Sequence, residues 1–527
     1  MNYLRFLLAD MINFNTKRLT CLLAFAAMFM SCVSPTYGQL GFLLVNPGEE
    51  VSAEEGTPEN VTTLLNGGTL TNSNSRSTIL GPVLVLNSST IRREFDPLTV
   101  EGVISGQAQN TLTLSGRSFA SGAINLSGDN DYQGPTVIDS VFAVASNENS
   151  LGSTASGTSI TDFGQLEVQV ASSEAFVVAG TQTPRTNNEN LRFRHSEAVS
   201  NDITFQSGQI LIDGPSELQS RIQLDQQGAL SAVLRGDTTV VGGTEGSGNL
   251  TLRGDLSFTN GGIDHSGDVI IEDINTDVQF NAANSFTGDI IVTDQGTLRV
   301  NHSDSLGNSS NAVQVRDRGD LILNQNIDRD VDLDSGNLVL GDGVAFDGDV
   351  FASDFSTVGG TGTFRGNIDF ANGGTLSGGN FEGTIGGAED LRISGGATTT
   401  RLNAANTFSG ITTISGTTEI NHADGLGTND FGTLINSRQT DLNTVTEETL
   451  TVSSSAVLNV NVAQRQLPRA LPNTFVGLFS TNPTLSLNST GEYDEVAEFS
   501  NADLVVRAES RISTLIVTGD GLSLIHI

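Results

Sequence analysis

Two stretches of this 527-residue chain read almost alike. One is Phe280-Asn281-Ala282-Ala283-Asn284-Ser285-Phe286-Thr287-Gly288, followed by Leu306-Gly307. The other is Leu402-Asn403-Ala404-Ala405-Asn406-Thr407-Phe408-Ser409-Gly410, followed by Leu426-Gly427. A looser copy runs Leu126-Ser127-Gly128-Asp129-Asn130-Asp131-Tyr132-Gln133-Gly134 and then Leu151-Gly152. Each carries Asn-x-aromatic-x-Gly, and a short strand such as Ile290-Ile291-Val292 comes next. The copies cover about 124–152, 278–307 and 400–427. A short unit that recurs along the chain, and that cannot bury its apolar face alone, marks a solenoid. One coil per copy is expected, with aromatic and aliphatic residues inward, Asn and Gly at the corners, and coils about 4.8 Å apart.

Outward from these copies, 101–440 keeps one texture. Leu112-Thr113-Leu114, Leu166-Glu167-Val168, Leu250-Thr251-Leu252 and Leu321-Ile322-Leu323 alternate in steps of two between Gly/Asn/Asp/Ser/Thr turns. These are strand signals, and no stretch holds a helical period. Proline is absent from 216 to 467, so the ladder there is uninterrupted. Sandwiches and barrels do not grow to this length, whereas a solenoid grows by adding coils. The fold class is therefore all-β, a parallel β-helix. Residues 39–100, with Pro47, Pro58, Pro82 and Pro97, are expected to form an irregular N-terminal cap. Residues 441–521, with Pro468, Pro472 and Pro483, are expected to form a separate C-terminal β region.

The motif resembles the autotransporter-associated β-strand repeat of bacterial surface and secreted proteins. There Asn-Thr-(Phe/Tyr)-x-Gly-x-Thr-x-(Val/Ile) precedes a Gly-Thr-Leu strand and then Leu-Gly. Asn406-Thr407-Phe408-Ser409-Gly410-Ile411-Thr412-Thr413-Ile414 fits it closely, and Gly296-Thr297-Leu298 supplies the strand of the second copy. Val358-Gly359-Gly360-Thr361-Gly362-Thr363 is similar to the spacer coils of that family. The resemblance implies a right-handed β-helix on an exported passenger at the cell surface or outer membrane, with a stalk or adhesive role. Host or surface glycans and proteins are the partners it implies. It also implies a C-terminal barrel or sorting tail as anchor. It assigns no catalytic residue and no cofactor.

The N-terminus agrees with export. Lys17 and Arg18 precede an apolar run, Leu19–Met30, and small residues follow to Gly38. This is the layout of a signal peptide over 1–38, with Cys32 as an alternative lipidation point. All four Met, the single Lys and both Cys lie in this segment, so the mature chain is expected to have neither disulfides nor thiol chemistry. No later run is long enough for a transmembrane helix. The last six residues, Leu522-Ser523-Leu524-Ile525-His526-Ile527, match an in-frame read of a sequencing-library adapter. On that reading 522–527 is adapter-derived and Gly521 closes the natural sequence.

Composition narrows function. With 60 Asp+Glu against 25 Lys+Arg the net charge is −35, and a nucleic-acid partner is excluded because phosphates would be repelled. Charged residues are only 16%, and hydrophobic residues reach 37%, which a disordered acidic chain would not carry. One run is dense in carboxylates: Asp328-Arg329-Asp330-Val331-Asp332-Leu333-Asp334. On a strand Val331 and Leu333 would face inward, and Asp328, Asp330, Asp332 and Asp334 would share the outer face. A weak Ca²⁺ site there is weighed against a plain solvated face. The EF-hand pattern fails, since Leu333 stands where Gly is needed. His302 and His422 occupy matching repeat positions, which favours a structural role. Three Arg-Gly-Asp triplets, beginning at Arg235, Arg253 and Arg318, are read as turn chemistry. The function expected is non-catalytic. A β-helix polysaccharide lyase or hydrolase, and a transport-assisting passenger segment, are the alternatives.

Overall fold

The computed structural model describes residues 41–461 except 54–56, 73–75, 95, 117–121, 154–155, 181–188, 226–231, 261, 309, 396–397, 429–431, 438, 445–449 and 453–455. Beyond 461 it describes the backbone of six strands, from Arg469–Ala470 to Ser523–His526. The expected signal segment, 1–38, lies outside the described residues. Among them there is no helix, and every ladder is parallel. The strands wind into a β-solenoid of about 19 turns.

Three faces make up each coil. The first opens with Gly41–Val45, Val61–Asn66, Val83–Asn87 and Ile104–Gly106 in register. By coil order it resumes at Glu217–Leu218, Thr238–Val240, Asp255–Phe258 and Asp277–Phe280. The second face runs through Ser89–Arg93, Leu112–Gly116, Thr136–Asp139 and Thr158–Asp162, on to Ile263–His265. The third runs from Ser77–Ile79 and Leu98–Val100 to Val350–Ser353, Ile368–Phe370 and Ile385–Gly387. Strands of three to five residues suffice because inward positions are few. Ile290 and Val292, for example, are fully buried while Ile291 between them is half-buried. On the second face a column of rings, Phe346, Phe364 and Phe381, fills the core. Phe364 and Phe381 stack face to face at 4.8 Å between centroids.

The stack does not wait for residue 101. Segment 41–100, expected as an irregular cap, already carries the three-face coil. Its prolines lie outside the strands, and Pro82 and Pro97 each stand just before one, where no ladder N–H is needed. At the other end the parallel register likewise continues past 440 into Leu450–Val452, Val457–Val460 and the strands beyond.

The repeated motif has one geometry in all three places, yet the copies sit on three different faces. Asp131 N–H donates to the Ile104 carbonyl on the first face. Ser285 N–H donates to Ile263 on the second, and Thr407 N–H to Ile385 on the third. The Asn of each copy is buried and ties three coils together. Its side-chain oxygen accepts the N–H of Ile104, Ile263 or Ile385 in the coil before, at 2.7, 2.7 and 2.9 Å respectively. Its amide donates to the carbonyl of Ser150, Ser305 or Gly425 in the coil after. Tyr132, Phe286 and Phe408 fill the core beside it. At Gly288 a Cβ would stand 2.1 Å from the Gly267 oxygen, so this position takes no side chain. Gly307, at φ 74°, turns the next coil over the Phe286 ring. A second polar column climbs one corner from Asn380 through Asn403, Asn421, Asn443 and Asn461, the amide of each of the last four reaching the Asn one coil earlier.

Replacing Asn284 by Ala leaves the Ile263 N–H and the Ser305 carbonyl buried without this partner. A loss of about 2–3 kcal/mol in chemical unfolding is expected. Asn301→Ala, on an open corner between Asn281 and Asn324, is expected to cost under about 1 kcal/mol. Equal losses at the two sites would contradict the three-coil tie.

Candidate functional site

The acidic run of 328–334 divides in two. The strand is Val331–Asp334, with Val331 and Leu333 buried and Asp332 and Asp334 exposed, as the alternation requires. Asp328 and Asp330 precede the strand and lie on the corner leading into it. Asp330 is part of a column there. Its Oδ1 accepts the N–H of Asp349 at 2.8 Å, and Asp349 Oδ1 accepts that of Asn367 at 2.8 Å. Lower in the stack Asn249 serves Asp268, and Asp268 serves Asp289, each at 2.9 Å. Before these third-face strands, from Asn249 to Asp289 and from Asp330 to Asn367, an Asp or Asn thus caps the equivalent residue of the next coil. The four carboxylates do not converge on a point. Among the described residues no group of three or more His, Cys, Asp or Glu side chains is arranged to hold a metal ion.

The charges of this face are poorly compensated. Burial holds the Asp332 carboxyl above the usual range, with Asp330 adding to the effect. Asp334 is raised by burial, then by the neighbouring Asp354 and by Asp317, while Arg316 opposes them. Arg329 turns away from the carboxylates. Its guanidinium donates to the backbone carbonyls of Asn311, at 2.6 Å, and Leu306. A hollow of about 470 Å³ opens beside it between Asp304, Asn308, Asp328 and Asp330.

The remaining sequence candidates are corner residues. His302 and His422 each accept, through Nδ1, the N–H two residues on, from Asp304 and Asp424 at 3.1 Å. The first two Arg-Gly-Asp triplets stack in register on adjacent coils. Arg253 pairs with Glu272 at 2.6 Å, Arg235 with Glu189 at 3.5 Å, and Asp255 N–H donates to Asp237 Oδ1 at 3.1 Å. In the third, Asp320 accepts from the Asn337 amide at 2.7 Å, while Arg318 stays exposed in a turn.

Three features escape the sequence patterns. Glu174 is 2% exposed, with one carboxylate oxygen accepting from the Thr158 hydroxyl at 2.9 Å and the other unpartnered. Burial pushes this carboxyl up to about 7. His265 is buried against Phe286, and burial pushes it down to about 4. Beside it a polar hollow of about 510 Å³ lies among Gln223, Glu245, Asp264, Ser285 and Thr287. Arg221 pairs with Glu245 at 2.9 Å near its rim. Finally, Phe351 and Phe355 stand 51% and 77% exposed on one coil.

The fold defines the class, a parallel β-solenoid. No family model, curated protein or solved structure matches the chain.

The burial of Glu174 sets a pH dependence of stability. Glu174 is favoured neutral in the fold and ionised in the unfolded chain, so its contribution to stability falls as pH rises from about 4.5 through about 7. Glu174→Gln should therefore stabilise the fold more at pH 8 than at pH 4.5, by roughly 3 kcal/mol in chemical unfolding. An effect independent of pH would contradict the buried acid. Asp330→Asn keeps the acceptor for Asp349 and is expected to melt with the parent, whereas Asp330→Ala is expected to lose about 1 kcal/mol in the same assay.

Proposed function

We propose that this chain is a non-catalytic, exported rod, secreted or displayed at a bacterial surface, related to the autotransporter-associated β-strand repeat proteins and serving as stalk or adhesive passenger. The observation that carries the reading is the use made of the repeated motif. Asn284, Phe286, Gly288, Leu306 and Gly307 are all spent on coil-to-coil contact, and the same holds at 130–152 and 406–427. Repetition here builds length. About 19 turns at about 4.8 Å give a rod near 90 Å. Its acidic exterior favours solubility and repels anionic surfaces.

Small-angle scattering of the purified chain should give a maximum dimension near or above about 90 Å, with the cross-section of a single solenoid. Expression with and without residues 1–38 should export the first protein and retain the second. Retention of both would remove the surface assignment. A panel of acidic and neutral glycans should show no turnover, and sustained turnover would favour a lyase or hydrolase instead.

A further inference from the structure

The outward row of the third face changes character at one coil. Across Val313–Arg316, Val331–Asp334, Val350–Ser353 and Ile368–Phe370 the residues in register are Gln314, Asp332, Phe351 and Asp369. Val350 and Ala352 fill the core, so the alternation of the strand sends Phe351 outward. Phe355 follows in the turn, with φ 62° after Asp354 at φ 49°. Left-handed backbone is unfavourable for a bulky residue, and solvent exposure adds nothing to offset it. Folding therefore gives no reason for either ring to stand in water.

Carboxylates surround the pair. Asp332 and Asp369 flank Phe351 in the adjoining coils, about 4.8 Å away on either side. Asp334 lies beside Asp354 and Asp317 at the turn, and burial first, then these two carboxylates, keep its carboxyl raised. Of the nearby cations, Arg316 is hydrogen-bonded to Gln314, and Arg318 lies in a turn two coils earlier.

We propose that Phe351, Phe355 and the carboxylates of Asp332, Asp334, Asp354 and Asp369 form a docking surface for a basic polypeptide segment. Charge complementarity selects this occupant. Lys and Arg side chains lay apolar stems along exposed rings and bring their cationic heads to nearby carboxylates. A second copy of this chain is opposed by its net charge of −35 and single lysine, and an anionic glycan or lipid by the same field. The site rests on the rod reading only in giving an adhesive rod its point of contact.

The test is fluorescence anisotropy on the full chain with a labelled Lys/Arg-rich peptide of a dozen residues, beside a neutral peptide of the same length and a neutral oligosaccharide. Phe351→Ser with Phe355→Ser leaves the charge unchanged and should weaken the basic peptide about tenfold. Asp332→Asn with Asp369→Asn should do the same. Asp131→Asn with Asp202→Asn, an equal charge change on remote coils, should shift it less than about twofold. Parent-like melting certifies each variant as folded. Equal weakening by the remote pair, or none by the serine pair, overturns the site. So does oligosaccharide binding lost in the serine pair without basic-peptide binding. Each of these leaves the rod reading standing, which scattering, export and glycan turnover test separately.

Discussion

A backbone N–H buried between two coils has to meet an acceptor, and in this chain that requirement organises everything else. Within the strands the parallel ladder meets it. At the corners the ladder breaks, and side chains take over: Asn130, Asn284 and Asn406 inside, and the Asp/Asn column before the third face. Asn suits the inner corner because it carries an acceptor and a donor on one short stem. It can therefore join the coil before to the coil after. An Asp could accept but not donate, and would bury a charge.

This economy explains the composition. With the core reduced to two inward residues per strand, three faces of short strands give a continuous apolar centre without long hydrophobic runs. The surface is left to Asp, Asn, Ser and Thr. The acidic excess lies on the outer faces, where solvent screens it. At Asp334 burial, and then the neighbouring Asp354 and Asp317, push the carboxyl up.

Much of this was legible beforehand. The period-two alternation of Val331-Asp332-Leu333-Asp334 placed its four side chains correctly, and the recurring Asn-x-aromatic-x-Gly announced stacked coils. Val350-Phe351-Ala352 carried the same signal for an outward Phe351, which the alternation rule reads as soon as it is applied there. The proline-bearing segments misled, because proline disturbs a strand and not the corner where Pro82 and Pro97 stand. The acidic run misled in part. Asp330 looks like its neighbours in sequence but serves the backbone of the next coil. Glu174 and His265 gave no sign at all, since burial of a lone titratable residue depends on which coil covers it.

The sequence by itself determined the class of fold and the inward set of residues, because alternation and repetition are local properties of the chain. It also bounded function by charge and by the residue types present. Only the tertiary structure decided which face each copy of the motif occupies, since that depends on the summed lengths of the coils in between. The same stacking placed Phe351 between two aspartates from other coils and gathered Asp317, Asp334 and Asp354 at one edge. Register between coils brings together residues about twenty apart, and no pattern within a single coil contains it.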